Sequence, residues 1–316
     1  MSIEYLCCGD TLFDLFVQPN ENLGKISLTG TVGGSPLNVA LGLARLGMNT
    51  GYFAKNSNDL FGRRIGEFLA SNRINTSHLI SSDRNSTLAV IETNSEGVPD
   101  YAFYTSGTAD RSIELHELPQ DLPNTLKLIH VGSYTTATEP TASSLEALVS
   151  ANSASRIISY DPNIRPSIEP DMDVWRSKVI AFSSKAHFVK ASDEDLDVLY
   201  QNPDPQNFAQ DCISRGAQLV CVTLGGDGAY AFSSDGRSLR IKGVPVSIKD
   251  TVGAGDTFQA SCLYWLGTNN NANDKITADI DLEKLLEFAV CAAAITCSRR
   301  GADLPTLTEI EKALSK

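Results

Sequence analysis

Apolar positions along this chain fall into two alternating patterns. Short apolar runs closed by turn residues, such as Ile3–Cys8 ending at Gly9, read as buried strands, whereas apolar residues three and four apart read as helices. Ser35–Leu46 shows the helical pattern most clearly. Leu37, Ala40, Leu41 and Ala44 share one face there, and Gly47 supplies a C-terminal stop. The alternation continues with strand Gly51–Ala54 and helix Leu60–Leu69, then strand Leu126–Val131, helix Ala142–Val149, strand Arg156–Tyr160 and helix Val174–Phe182. Strand His187–Val189, helices Asp193–Leu199 and Pro205–Arg215, and strand Gln218–Thr223 follow. Strands and helices taking turns predict an α/β fold of parallel βαβ units, with helices on both faces of the sheet.

Two stretches break the pattern. Leu15–Gly30 is polar without a helical period, and Ser86–Thr105 reads as two strands joined by a turn through Asn94–Pro99. Inserted β segments of this kind form either a small sheet covering one end of the core or plain surface hairpins.

Composition narrows the partners. The chain has 316 residues, enough for one large α/β domain. Its net charge of −12 disfavours nucleic acid and anionic membrane surfaces, but not one phosphorylated small molecule in a locally positive pocket. No apolar run approaches the ~18–20 residues of a spanning helix, and MSIEYLCCGD lacks a basic leader or cleavage pattern. A cytoplasmic location is expected. The seven cysteines sit mostly within apolar runs, without a C-x₂-C pair, and the four histidines are scattered. Reduced, buried thiols are therefore expected, with no zinc site.

Three glycine turns carry the candidate chemistry. In the first, Thr251-Val252-Gly253-Ala254-Gly255-Asp256 opens an apolar helical segment. Free N–H groups at a helix start favour an anion, yet a carboxylate stands beside them. The turn lacks the lysine of a P-loop and the third glycine of a dinucleotide fingerprint. Phosphoryl transfer to an alcohol needs both parts: amides of 253–256 for the moving phosphoryl group, and Asp256 for the hydroxyl proton. Asp256 as a simple helix cap is the competing reading. The second turn, Gly33-Gly34-Ser35-Pro36-Leu37-Asn38, also opens a helix and is either a ligand cradle or a plain helix start. The third, Thr223-Leu224-Gly225-Gly226-Asp227-Gly228, follows a strand. It is either a ligand loop at that strand's carboxyl end or a tight strand–strand turn.

In this order and spacing, the turns resemble the ribokinase-like (PfkB) carbohydrate kinase family. DTVGAGDTFQASCL is similar to its C-terminal signature, with Ser261 where alanine or glycine is usual, and GGSPLNVALGLARLG to its N-terminal one. The likeness runs from GDTLFDLF to AAAITCSRRGADLP, and YAFYTSGTADRSI, ISYDPNIRP, KASDEDL and VTLGGDGAYAF look most like fructokinases. The resemblance implies a three-layer α/β/α core with a mostly parallel sheet over 1–316, and a small β-sheet lid from about 12–33 and 86–110. It implies ATP-dependent phosphorylation of a sugar, most like fructose, with ATP and Mg²⁺, K⁺ being open, and a homodimer through the lid.

Residue by residue, the resemblance makes Asp256 the base and Gly253, Ala254 and Gly255 the anion hole, with Arg165 beside the transferring phosphoryl group. A surface salt bridge is the plain alternative for Arg165. Asp14, Gly33, Gly34 and Asn38 would bind sugar, and Tyr101, Phe103 and Asp110 would line it from the lid. Thr223, Gly225, Gly226 and Gly228 would hold the nucleotide. Ser192 and Asp195 occupy the place of an N-x-x-E motif, so Asp195 would reach Mg²⁺ only through water. The same S-x-x-D pattern is also a capping arrangement. Asp250 falls near a monovalent-cation site. Two other functions stay open: a 2-keto-3-deoxygluconate kinase, which needs an extra cation near the sugar, and a non-catalytic sugar-binding regulator.

Overall fold

The first strand, β1 (Tyr5–Cys8), is buried at all four positions, and it alternates between two cores. Tyr5 and Cys7 join one apolar cluster, Leu6 and Cys8 the other, as expected of a strand covered on both faces. The structure is a computed structural model describing residues 2–19, 24–93, 99–201, 203–269, 276 and 280–315. After β1 come β2 (Leu12–Gln18), β3 (Ser27–Gly33), α1 (Ser35–Arg45), β4 (Thr50–Ser57), α2 (Leu60–Ser71), β5 (Asn75–Ser82), β6 (Thr87–Thr93) and β7 (Pro99–Tyr104). The middle of the chain holds β8 (Leu128–Gly132), α3 (Thr141–Asn152), β9 (Ile157–Asp161), α4 (Met172–Ser183), β10 (Phe188–Ser192), α5 (Asp193–Leu199) and α6 (Pro205–Ser214). It closes with β11 (Leu219–Thr223), β12 (Ala229–Ser233), β13 (Ser238–Ile241), α7 (Ala254–Asn269), α8 (Leu282–Cys297) and α9 (Leu307–Leu314).

Nine strands form the central sheet in the order β13-β12-β11-β10-β9-β8-β1-β4-β5. From β5 to β11 every pairing is parallel, and only β12 and β13 run antiparallel at one edge. One face packs Leu37 and Leu41 of α1, Ile65 of α2, Leu263 of α7 and Leu286 of α8. The other packs Leu145 of α3, Trp175 and Val179 of α4, and Phe208 of α6. The fold is thus the expected α/β/α sandwich, and the carboxyl ends of its parallel strands all open to one end.

The segments around 12–33 and 86–110 combine into a second sheet of order β3-β2-β6-β7. β2 pairs antiparallel with β3 and parallel with β6, and β6 pairs antiparallel with β7. Leu15–Gly30, patternless in sequence, therefore holds most of two strands. β3 is exposed from Ser27 to Thr31, so no buried face imprints an alternation on it. The turn expected at Asn94–Pro99 lies almost wholly outside the described residues. β5, β12, β13, α8 and α9 go beyond the elements that the sequence pattern predicts. α8 is apolar on several sides because α7 and α9 both pack against it, which blurs the helical period.

All seven cysteines are free and six are buried. Among the described residues, no helix is long and apolar enough to cross a membrane.

Candidate active site

The open end of the sheet gathers Asp10 after β1, Asp161 at the end of β9, Ser192 at the end of β10 and Thr223 at the end of β11. Ligands of open α/β sheets bind at such an end. α7 begins there too. Its first backbone bond runs from Thr257 N to the Gly253 carbonyl at 2.8 Å, so the amides of Gly255 and Asp256 have no helical acceptor. Ala254 is different: its N–H is taken by the Thr251 carbonyl at 3.2 Å.

Asp256 is buried and does not bond back onto its own helix. Its Oδ1 accepts from Ser35 Oγ at 2.7 Å and its Oδ2 from Asn38 Nδ2 at 2.8 Å, both in α1. The second glycine turn thus delivers the two groups that hold the carboxylate of the first. Burial pushes the Asp256 carboxyl above the usual range, while the bonds from Ser35 and Asn38 and the charges of Lys190 and Arg165 pull it down.

Asp14 lies alongside. Its carboxylate passes over Gly33 so closely that a Cβ there would overlap Oδ2, which only glycine avoids. Burial, then the charge of Asp256, lifts the Asp14 carboxyl to about 7, and Arg165 opposes this. Gly34 rests against the Asp10 carbonyl. Asp10, absent from the sequence candidates, is buried with Oδ1 unpartnered. Burial and the neighbouring Asp110 push it up to about 8.

Arg165 is exposed, and its charge acts on Asp10, Asp14, Asp256 and Tyr101. Among the described residues it forms no ion pair, and its Nη1 donates to the Ile164 carbonyl at 2.8 Å. Its loop is braced from below. Asp195 Oδ1 accepts from Ile164 N at 2.7 Å, and Asp195 Oδ2 accepts from Ser192 N and Oγ at 2.9 and 2.7 Å. The capping arrangement read from S-x-x-D is therefore present, and it also positions the arginine loop. Asp161 adds a second brace, accepting from Asn163 N at 3.2 Å, and pairs with Lys190 at 3.0 Å.

From the small sheet, Tyr101 and Phe103 stack with ring centroids 5.9 Å apart. Burial raises the Tyr101 hydroxyl, with the charge of Arg165 opposing and those of Asp14, Asp250 and Glu194 adding to the rise. Asp110 does not join this lining. Its Oδ1 accepts from Thr87 and Thr108 at 2.7 and 2.8 Å, and its Oδ2 from Tyr134, so it braces the base of the sheet.

The third turn joins β11 to antiparallel β12, so it is both a carboxyl-end loop and a tight strand–strand turn. Gly228 has φ +99°, and a Cβ there would overlap the Ile241 carbonyl. Just past Ile241, Val244 and Val246 line a cavity of about 490 Å³, closed by Val290, Cys291, Ala294 and Ile295 of α8. Asp250 stands apart from it. Its Oδ1 accepts from Val252 N at 3.1 Å and its Oδ2 from Gly301 N at 2.8 Å, tying the α7 approach to the end of α8.

The residues missed by sequence reasoning left faint signals. Asp10 is the acid closing an apolar strand in YLCCGD, and Lys190 is a lone cation within FVKA. Either could have been a surface residue; only the sheet shows them buried.

Known proteins resemble this chain in sequence and in fold. The family profile for pfkB family carbohydrate kinases matches residues 4–309. A fructokinase of Rhizobium leguminosarum bv. trifolii is 35% identical over 280 residues, covering 89% of this chain and 85% of its own length. Fructokinase-2 of Oryza sativa subsp. japonica is 32% identical over 292 residues, covering 90% and 85%. Among solved structures, the Xylella fastidiosa fructokinase with bound ATP superposes with a TM-score of 0.87 at 24% identity, covering 99% of this chain and 98% of that one. The Vibrio cholerae fructokinase bound to fructose, ADP and calcium gives a TM-score of 0.82 at 24% identity, covering 99% of each chain. These structures share the fold. The chain belongs to the pfkB family of carbohydrate kinases.

Proposed function

We propose that this protein transfers the γ-phosphoryl group of ATP to a hydroxyl of fructose. The observation that carries the reading is Asp256: an acid buried beside two acceptor-free amides, fixed by Ser35 and Asn38 and neighboured by Asp14 and Arg165. Sugar hydroxyls bond Asp14 and the Gly33–Gly34 backbone beneath Tyr101. Asp256 takes the proton of the attacking hydroxyl, the amides of Gly255 and Asp256 hold the phosphoryl oxygens, and Arg165 neutralises their growing charge. The adenine lies in the apolar cavity next to Val244, Val290 and Ala294, with the phosphates along 223–228. Tyr101 and its strand limit water, the competing acceptor.

Magnesium fits as an ion arriving with the nucleotide, since such ions take one or two carboxylates plus phosphates and waters. Glu194, exposed near Tyr101, is a carboxylate suited to it, while Asp195 has both oxygens engaged by the protein and would act only through water. Bound there, the ion would neutralise phosphate charge. Each Asp250 oxygen accepts one amide, which leaves a further acceptor position on each that would suit a potassium ion. Exposed Leu28 and Tyr104 on the small sheet, with exposed Ile26 just before β3, suit a second copy of the chain.

A keto-deoxy acid substrate is disfavoured. Arg165 is the cation acting on both Asp14 and Tyr101, and a substrate carboxylate would compete with the phosphoryl group for it. The test is ADP release across fructose, ribose, 2-keto-3-deoxygluconate, tagatose 6-phosphate and adenosine, with and without K⁺. The highest kcat/KM is expected for fructose; a higher value for another acceptor, or no sugar-dependent release, overturns the reading.

A further inference from the structure

Lys190 is 2% exposed in β10, between β9 and β11 and flanked by buried Val189 and Ala191. Its Nζ lies 3.0 Å from Oδ2 of Asp161, which is fully buried. A pair this deep is a poor device for stability alone, because apolar residues of similar volume usually do as well or better. Its placement offers another reason. The ammonium would stand 3.2 Å from a Cβ on Gly255, so the absence of a side chain there lets the charge come up against the first turn of α7. A cation is unfavourable at the positive end of a helix dipole. Here it is balanced by Asp161, Asp195 and Asp256, which together raise its hold on the proton against the burial that lowers it.

We propose that Lys190 is a positioning residue for phosphoryl transfer: its buried ammonium keeps Asp256 ionised and adds positive field to the amides that receive the phosphoryl group. The inference rests on the kinase reading above. The groups facing Asp256 are Ser35 and Asn38 from α1, Lys190 from β10, Arg165 from the loop after β9, Asp14 from β2, Asp10 after β1, and Asp161 from β9. Lys190 itself also acts on His130 of β8 and Cys262 of α7. Within the buried pair, Lys190 pulls the Asp256 carboxyl down, while Asp161 and Asp256 repel one another. Arg165 is exposed and its field changes with solvent and ligand; that of Lys190 is sealed in and constant.

The test is the Asp161→Asn/Lys190→Met double variant, which avoids leaving Asp161 unpaired as Lys190→Met alone would, with Lys190→Arg as the charge-retaining control. The Asp256 carboxyl is followed by ¹³C NMR in ligand-free protein, assigned by its loss in Asp256→Asn, and kcat is measured against pH. In the double variant, the Asp256 titration and the acid limb of kcat should move about one pH unit or more upward, with kcat at neutral pH lowered about tenfold and sugar KM within about twofold. Lys190→Arg should leave both curves in place. A folded double variant with an unmoved titration overturns the proposal. Failure of the kinase reading would look different: the wild type would show no sugar-dependent turnover, while the NMR titration would still report on Lys190.

Discussion

The two halves of the site are built by opposite means. On the sugar side, Asp10 and Asp256 are buried with Asp14 half-buried beside them, and Asp256 is held by Ser35 and Asn38 from 221 and 218 residues away. On the nucleotide side, a local β11–turn–β12 unit and an aliphatic cavity offer backbone and apolar surface. The sugar half places charge at chosen points and depends on long-range closure of the fold. The nucleotide half offers shape, which depends on glycine and on small residues of α8. Damage should therefore separate: changes on the first half should affect turnover and sugar, and changes on the second should affect ATP.

The largest separation is expected from Arg165→Met. It should lower kcat by about 10³-fold, the lower range for a cation on a transferring phosphoryl group, with sugar affinity by calorimetry near that of the wild type. Gly33→Ala comes next. The added methyl collides with the Asp14 carboxylate, so kcat/KM for sugar should fall about 10²-fold while KM for ATP holds. Equal losses for both substrates would show that the two halves are not independent. On the other side, Ala294→Phe narrows the cavity and should raise KM for ATP about tenfold with sugar KM unchanged, the scale of a few apolar contacts.

The smallest effect concerns stability. Asp10 and Asp14 are raised in the fold to about 8 and about 7 from 3.8. A raised carboxyl favours the folded state while protonated, so its contribution is complete below pH ~4 and is lost as pH climbs through the folded value. The melting temperature of the ligand-free protein should fall between pH 6 and 9, and Asp10→Asn should recover roughly 2–4 °C at the upper end. A parallel decline in the variant would remove Asp10 from the account.

The same contrast governs what the sequence disclosed. The glycine turns at 33–38, 223–228 and 251–256 were legible because each is local and is followed by a helix or strand of clear period. Pairing Ser35 and Asn38 with Asp256 needed the packing of α1 against α7, which no spacing records. Asp195 and Asp110 carried the right chemistry in sequence, yet the fold turns their carboxylates onto neighbouring amides and hydroxyls. β3 escaped notice because it buries almost nothing, and Lys190 because a lone lysine in an apolar run carries no mark of burial.

The central claim is that Asp256 receives the proton of the attacking hydroxyl, and one turnover by Asp256→Asn tests it most directly. Rapid-quench transfer from labelled ATP to fructose, paired with fructose binding by calorimetry, should show transfer slowed by at least ~10²-fold with binding retained. Transfer at the wild-type rate in a variant that binds fructose normally would contradict the account.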